Sequence, residues 1–203
     1  MLTFCLVGVE VQVAQALTTQ QAKSVVAQYA RRFKIYKTAQ SKNHQCWIKR
    51  GRVACKALTP NGNSSGQLGN GEMNPATVLK ANYVFRIRDA VSIVVGDEHT
   101  CVLHKTSEVS CFGSSRFGQL AQGDFSGYSI PRKVLKVDRT KLKGVRALVA
   151  RGNETCALLK NQDMACWGQS RILGTVSTHA SVAFNLQSLG VRSPLSRRVA
   201  SKR

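Results

Sequence analysis

Six of the seven cysteines of this chain fall on one period. Cys46, Cys101 and Cys156 are spaced 55 and then 55 residues apart, and Cys55, Cys111 and Cys166 are spaced 56 and then 55. Two independent series with one shared period mark three tandem repeats. A period of this length limits the fold more than any other feature. Each repeat is one supersecondary unit that cannot bury its apolar face alone, so neighbours must stack.

The residues around the cysteines keep the same register. The first pair sits in His44-Gln45-Cys46 and Val53-Ala54-Cys55, the second in His99-Thr100-Cys101 and Val109-Ser110-Cys111, and the third in Glu154-Thr155-Cys156 and Met164-Ala165-Cys166. Gly66-Gln67-Leu68-Gly69 follows the first pair and Gly118-Gln119-Leu120 the second; only Leu173-Gly174 survives in the third. Pro75 and Pro131 then precede the apolar runs 76–79 and 134–137. Ala90–Val95 and Val145–Ala150 are β-branched apolar runs of strand length. Thr100–His104 and Glu108–Phe112 flank a short segment suited to a hairpin loop, as do Thr155–Leu159 and Met164–Trp167. Each repeat thus supplies about four short strands, the composition of a propeller blade. The expected fold is all-β: a partial or open β-propeller of about three four-stranded blades, with an N-terminal helical segment.

Cysteines with eight or nine residues between them, and a turn in the middle, face one another across a hairpin. A directly opposed, non-hydrogen-bonded pair is close enough to be bridged. The expected disulfides are Cys46–Cys55, Cys101–Cys111 and Cys156–Cys166, each worth about 2–3 kcal/mol in the chain-entropy model. The competing reading is zinc, with His44 and His99 two residues before their cysteines. Zinc knuckles bring cysteines two to four residues apart, and the third copy has Glu154 in the histidine slot, so no metal site is expected. The bridges require an oxidising compartment; in a reducing one the pairs are buried thiols.

The pattern Gly-x-x-His-Thr-Cys-x-Leu, a short loop, Val-x-Cys-[Trp/Phe]-Gly and then Gly-Gln-Leu resembles the regulator of chromosome condensation repeat. Its best match is Gly96 to Pro131, within a resemblance covering about residues 39–175. The paired cysteines are similar to those of secreted bacterial members. There are departures: Ser41 and Arg151 replace the glycine at Gly96, and Glu154 replaces the histidine. The resemblance implies a propeller usually closed by seven blades. Three cannot close that ring, so the chain is a fragment, an open stack or a self-associating unit. Nucleotide exchange on a small GTPase belongs to family members with a complete propeller and is not expected.

The net charge is +20. Such self-repulsion is eased by a polyanion: nucleic acid, anionic lipid or an acidic envelope polymer. Arg132, Lys133, Lys136, Arg139, Lys141, Lys143 and Arg146, with Asp138 as the one acid among them, form the candidate polyanion contact. Residues 1–16 are apolar, lack Lys and Arg, and end in Ala14-Gln15-Ala16, and so read as a signal peptide interrupted by Glu10. Residues 17–40 carry Val26, Tyr29, Ala30 and Phe33 at helical spacing and read as a basic helix, packed on a blade or lying on an anionic surface. The repeats occupy about 41–85, 86–145 and 146–190. The tail 191–203 is basic and serine-bearing and reads as disordered.

No phosphate loop, His-Glu-x-x-His or Gly-x-Ser-x-Gly pattern occurs. Asp97, Glu98 and His99 form the one catalytic candidate, a hydrolase turn, against the plainer reading of a repeat-turn histidine bonded to its surroundings. Trp47 and Trp167 read as hairpin packing groups rather than stacking platforms. The sequence therefore supports a non-catalytic binding scaffold without cofactor or membrane span. It would be secreted, periplasmic or on the cell surface, and would bind a protein or an anionic envelope polymer. A nucleic-acid or chromatin binder is the alternative.

Overall fold

The computed structural model describes residues 18–74, 80–170 and 175–191. The segments read as signal peptide and basic tail lie outside the described residues, apart from Val191. So do the run 76–79 and Leu173-Gly174.

Among the described residues one helix precedes twelve strands. Helix α1 (Thr19–Ala30) starts at a capping box: the Thr18 side chain accepts from the Gln21 backbone N–H, while the Gln21 side chain accepts from the Thr18 N–H. The strands form three four-stranded antiparallel sheets. The first contains β1 (Thr38–Gln40), β2 (His44–Lys49), β3 (Arg52–Ala57) and β4 (Ala81–Tyr83). The second contains β5 (Ala90–Val95), β6 (His99–His104), β7 (Val109–Gly113) and β8 (Tyr128–Lys133). The third contains β9 (Val145–Arg151), β10 (Glu154–Leu159), β11 (Asp163–Ser170) and β12 (Thr175–Asn185). Each sheet is ordered as the chain runs, the meander of a propeller blade.

The helix is shorter than its apolar spacing suggests. It ends at Ala30, and β1 begins at Thr38, inside the stretch read as helical to residue 40. Between them, Lys34 pairs with Leu148 of β9, and the Tyr36 N–H donates to Ser92 Oγ of β5. The linker therefore crosses the inner strands of the third and second blades to reach the first.

Each blade has a front face toward the next repeat and a rear face toward the preceding one. The strand period of two assigns residues to these faces. The cysteines stand opposite one another on the front face, as Cys46↔Cys55, Cys101↔Cys111 and Cys156↔Cys166, with Cα atoms 4.1–4.2 Å apart, and each pair is disulfide-bonded. The first blade's front (Cys46, Val53, Cys55, Ala57) packs on the second blade's rear (Ile93, Val102, Phe112). The second blade's front (Val94, Cys101, Leu103) packs on the third blade's rear (Leu148, Ala157, Trp167). Among the described residues no fourth blade lies on the third blade's front. Val26, Tyr29, Ala30 and Phe33 cover it, with Leu186 from beyond β12. Of the two destinations considered for the N-terminal helix, the structure shows packing on a blade.

Turn geometry explains the glycine two residues after the second cysteine in the second and third copies, Gly113 and Gly168. Gly168 has φ +87°, and a Cβ there would stand 2.1 Å from the Asn153 carbonyl oxygen, so the preceding turn of its own blade leaves no room for a side chain.

Candidate functional site

The repeat histidine slot lies between blades. His44 Nε2 meets Thr100 Oγ1 at 2.8 Å, and His99 Nε2 meets Thr155 Oγ1 at 2.7 Å. The Thr100 hydroxyl donates to the Gln67 carbonyl, so it accepts from His44, which fixes that ring as the neutral Nε2–H tautomer. Ser41 Oγ, 3.1 Å from His44 Nδ1, completes the first joint. Burial holds His44 down at about 3, with the nearby His99 adding to the effect, and holds His99 down at about 4. Both imidazoles are neutral at pH 7.

Gly96 is needed because His99 folds back over it. A Cβ would lie 2.1 Å from His99 Cε1 and 2.6 Å from the Gly152 carbonyl oxygen. Where Ser41 replaces the glycine, its hydroxyl bonds the ring instead. In the third copy both members of the motif change together. Glu154 takes the histidine slot, and its Oε2 accepts from Tyr29 Oη at 2.5 Å. Burial and the Glu154 carboxylate hold the Tyr29 hydroxyl well above the ordinary tyrosine range. Tyr29 thus occupies the position that a threonine of the next blade holds at the other two joints.

This geometry limits the chemistry. His99 is wholly buried, while the neighbouring Asp97 is exposed and its N–H donates to the Gly152 carbonyl. The turn therefore presents no imidazole to a substrate. Glu154, Cys156 and Cys166 bring ligand atoms within 4.8 Å of one another, but the two sulfurs are bonded together and offer no thiolate. A cavity of about 350 Å³ lies beside the inner strands, bordered by Arg32, Tyr36, Gln40 and Val95. Its described lining includes no carboxylate, imidazole or thiol.

The surface is polarised by charge. The hairpin turns β2–β3, β6–β7 and β10–β11 and the connections β4–β5 and β8–β9 all lie at one end of the strands. The turns expose Lys49, Arg50, Arg52, Lys105 and Lys160, and the β4–β5 connection adds Arg86 and Arg88. The acids at this end are already engaged. Asp89 Oδ1 is 2.7 Å from His104 Nδ1, Glu108 pairs with Lys133 at 3.0 Å, and Asp138 pairs with Lys136 at 3.0 Å. Asp163 accepts from Asn161 and Asn185. The hydrogen bond from Lys133, with further pull from Lys141 and Lys143, holds Glu108 below the usual carboxylate range. At the opposite end, among the described residues, Lys42, Lys80, Arg116 and Arg151 are balanced by Glu72, Asp97, Glu98 and Asp124.

The seven basic residues singled out from the sequence lie on β8, on β9 and on the connection between them. Arg139, Lys141 and Lys143 are exposed together on the β8–β9 connection. Lys141 and Lys143 border, with Lys136, a cleft of about 690 Å³ reaching Asn161 and Asp163. Lys133 and Lys136 are ion-paired, Arg132 lies over the Tyr128 ring at 4.7 Å, and Arg146 stands on inner strand β9. Lys105 and Lys160, missed in the sequence, join the exposed group, since the Lys160 N–H donates to the Gly144 carbonyl of that same connection. Strand direction, not sequence proximity, assembles this end. No helix among the described residues is long and apolar enough to cross a membrane.

Residues 90–119 match the family model of the regulator of chromosome condensation (RCC1) repeat. Over 110 residues the chain is 30% identical to the ultraviolet-B receptor UVR8 of Arabidopsis thaliana, covering 52% of this chain and 23% of that one. The fold is similar to human WBSCR16 (TM-score 0.59, 18% identity, 71% of this chain and 38% of that one). It is also similar to yeast RCC1, Prp20, in its complex with Kap60 (TM-score 0.53, 21% identity, 67% and 30%). A further match is Prp20p of Saccharomyces cerevisiae, described with its binding properties to Gsp1p and histones (TM-score 0.53, 21% identity, 67% and 31%). The chain spans well under half the length of these relatives.

Proposed function

Because the chain carries repeats of the regulator of chromosome condensation type on a partial propeller, we propose that it is an exported, non-catalytic scaffold. Its hairpin end would hold an anionic partner, either an acidic protein segment or an envelope polymer. The observation that carries this reading is the charge polarity: exposed Lys and Arg at one end, with each acid there already bonded. Loops held on a rigid stack are where binding specificity is usually placed. Three disulfides in the blade interfaces favour an oxidising compartment. The buried His99 and the lining of the inner cavity favour binding over hydrolysis.

The test is anisotropy of a labelled poly-glutamate peptide with the full chain and with the triple variant R139E/K141E/K143E. Binding should weaken steeply with salt and fall at least about tenfold in the variant, since charge pairing at an exposed site is screened over about 10 Å at 0.1 M salt. Affinity indifferent to both changes would refute the reading. The second reading, nucleic-acid binding through the same end, predicts that a labelled duplex competes for these residues with a strongly negative salt slope.

A further inference from the structure

Among the described residues no blade neighbours the rear face of the first blade, and its residues differ in kind from those at the same positions elsewhere. In the second blade Ile93, Thr100, Val102 and Phe112 are fully buried against the first. In the third, Leu148, Thr155, Ala157 and Trp167 are fully buried. The register places Thr38, Gln45, Trp47 and Lys56 at these positions in the first blade, all exposed or half-buried. A lysine in the Phe112 slot opposes burial under another blade, because an unpaired ammonium is costly to remove from water. The face is therefore adapted to something other than propeller closure.

Its side chains are arranged in rows across the sheet. Thr38, Trp47, Ala54 and Tyr83 are successive partners on β1 to β4, Gln40, Gln45 and Lys56 form the next row, and Lys49 stands opposite Arg52. Trp47 and Tyr83 are two strands apart, about 10 Å by ordinary sheet spacing. The Arg52 guanidinium lies 3.9 Å over the Tyr83 ring. None of the four strands carries an Asp or Glu. Two aromatic rings, amide and hydroxyl side chains, and three cations thus share a sheet face without an acid.

We propose that this face is a binding platform for a linear acidic polysaccharide. The apolar C–H faces of sugar rings stack on Trp47 and Tyr83, and their hydroxyls bond Gln40, Gln45 and Thr38. Carboxylate or sulfate groups pair with Lys49, Lys56 and the planar fork of Arg52. The choice of polysaccharide over single-stranded nucleic acid, which also combines stacking with negative charge, rests on the exported-scaffold reading. Acidic polysaccharides are the polyanions characteristic of the oxidising compartment that the disulfides favour.

The experiment titrates the full chain into a labelled galacturonate hexamer and a labelled sulfated hexasaccharide, with tryptophan emission and anisotropy as readouts. At least one probe should bind and quench Trp47, leaving the emission of buried Trp167 unchanged. Trp47→Ala should weaken binding about tenfold, while Trp47→Phe, which keeps a ring, should stay within about threefold. Lys56→Ala, which barely disturbs folding, should weaken it several-fold. R139E/K141E/K143E should leave it within about twofold at 0.15 M salt, where the Debye length is about 8 Å. Failure of both saccharides to bind, or equal affinity in Trp47→Ala and wild type, overturns the proposal. Tighter, Trp47-dependent binding of a dT12 oligonucleotide overturns it in favour of nucleic acid. A drop in solution mass on Trp47→Ala overturns it in favour of a second copy of the chain. None of these outcomes depends on Arg139, Lys141 or Lys143, so the platform and the β8–β9 connection fail separately. Free thiols in freshly isolated protein would remove export, and with it the reason for preferring a polysaccharide to nucleic acid.

Discussion

Acidification should loosen the stack at its two histidine joints. His44 and His99 are buried between blades as neutral rings, held at about 3 and about 4 by the removal of water from around them. In the unfolded chain each would titrate near 6.5. A depressed folded value means that the unfolded state binds more protons below about pH 6.5. The stabilisation is therefore complete above that pH, declines as pH falls, and is lost once the folded values are passed. At pH 5 the unfolded histidine lies about 1.5 units below its own pKa, worth about 2 kcal/mol per ring at 1.36 kcal/mol per unit. Two rings give about 4 kcal/mol, a large part of the 5–15 kcal/mol of a typical domain. Urea unfolding of the disulfide-intact protein at pH 7, 6 and 5 measures the loss. The control is H44Q/H99Q, in which an amide N–H keeps the bond to threonine but does not titrate. Glu108 and Asp138 are also held low by their partners, but their losses begin near pH 4 and fall outside this window. An unfolding free energy unchanged between pH 7 and 5, or one that falls equally in the glutamine variant, would refute the reasoning.

Three further outcomes follow from the joints. Tyr29→Phe removes the hydroxyl that donates to buried Glu154 and should cost about 1–3 kcal/mol, read from the urea midpoint and from faster amide exchange in α1. Gly96→Ala forces a Cβ into the His99 ring and the Gly152 carbonyl and should cost about 1–3 kcal/mol or more; a melting temperature equal to wild type would show that the turn can move. Cys101→Ser with Cys111→Ser should lower stability by about 2–3 kcal/mol without reductant, and the variant and wild type should differ little once reductant has opened all the bridges.

The repeat, its strands and the opposition of the cysteines were legible because local signals agree with one another: paired cysteines, β-branched runs and glycine turns all fall on one period. The front and rear of each blade were less so. Alternation separates two faces, but only stacking shows that Val102 and Phe112 receive the preceding blade while Trp47 and Lys56 do not. Trp167 behaves as the hairpin packing group expected of it, buried with its Nε1–H on the Gln119 carbonyl. Trp47, read in the same way from the sequence, lies on the face without a neighbour and is half-buried. The net charge of +20 was equally visible, but its one-sidedness was not, because residues as distant as Arg50, Lys105 and Lys160 meet only through strand direction.

The change at Glu154 shows most clearly why the remainder was hidden. In the sequence it is a lost histidine in a decaying third copy. In the fold it is half of an exchange, because the joint it would have made has no threonine on the far side and instead meets Tyr29, 125 residues earlier in the chain. A histidine can donate to a threonine that is already giving its own proton to a carbonyl, as Thr100 does to Gln67. A carboxylate can only accept, and the phenol of α1 donates to it. The two substitutions make sense only as a pair, and the pair exists because a helix, not a blade, closes the third interface. A double-mutant cycle on Tyr29→Phe and Glu154→Gln tests this directly. Coupling of at least about 1 kcal/mol is expected for a buried bond to a charged acceptor. Additive losses would mean that α1 is held by Val26 and Phe33 alone, and that the loss of histidine in the third repeat has no connection with the helix.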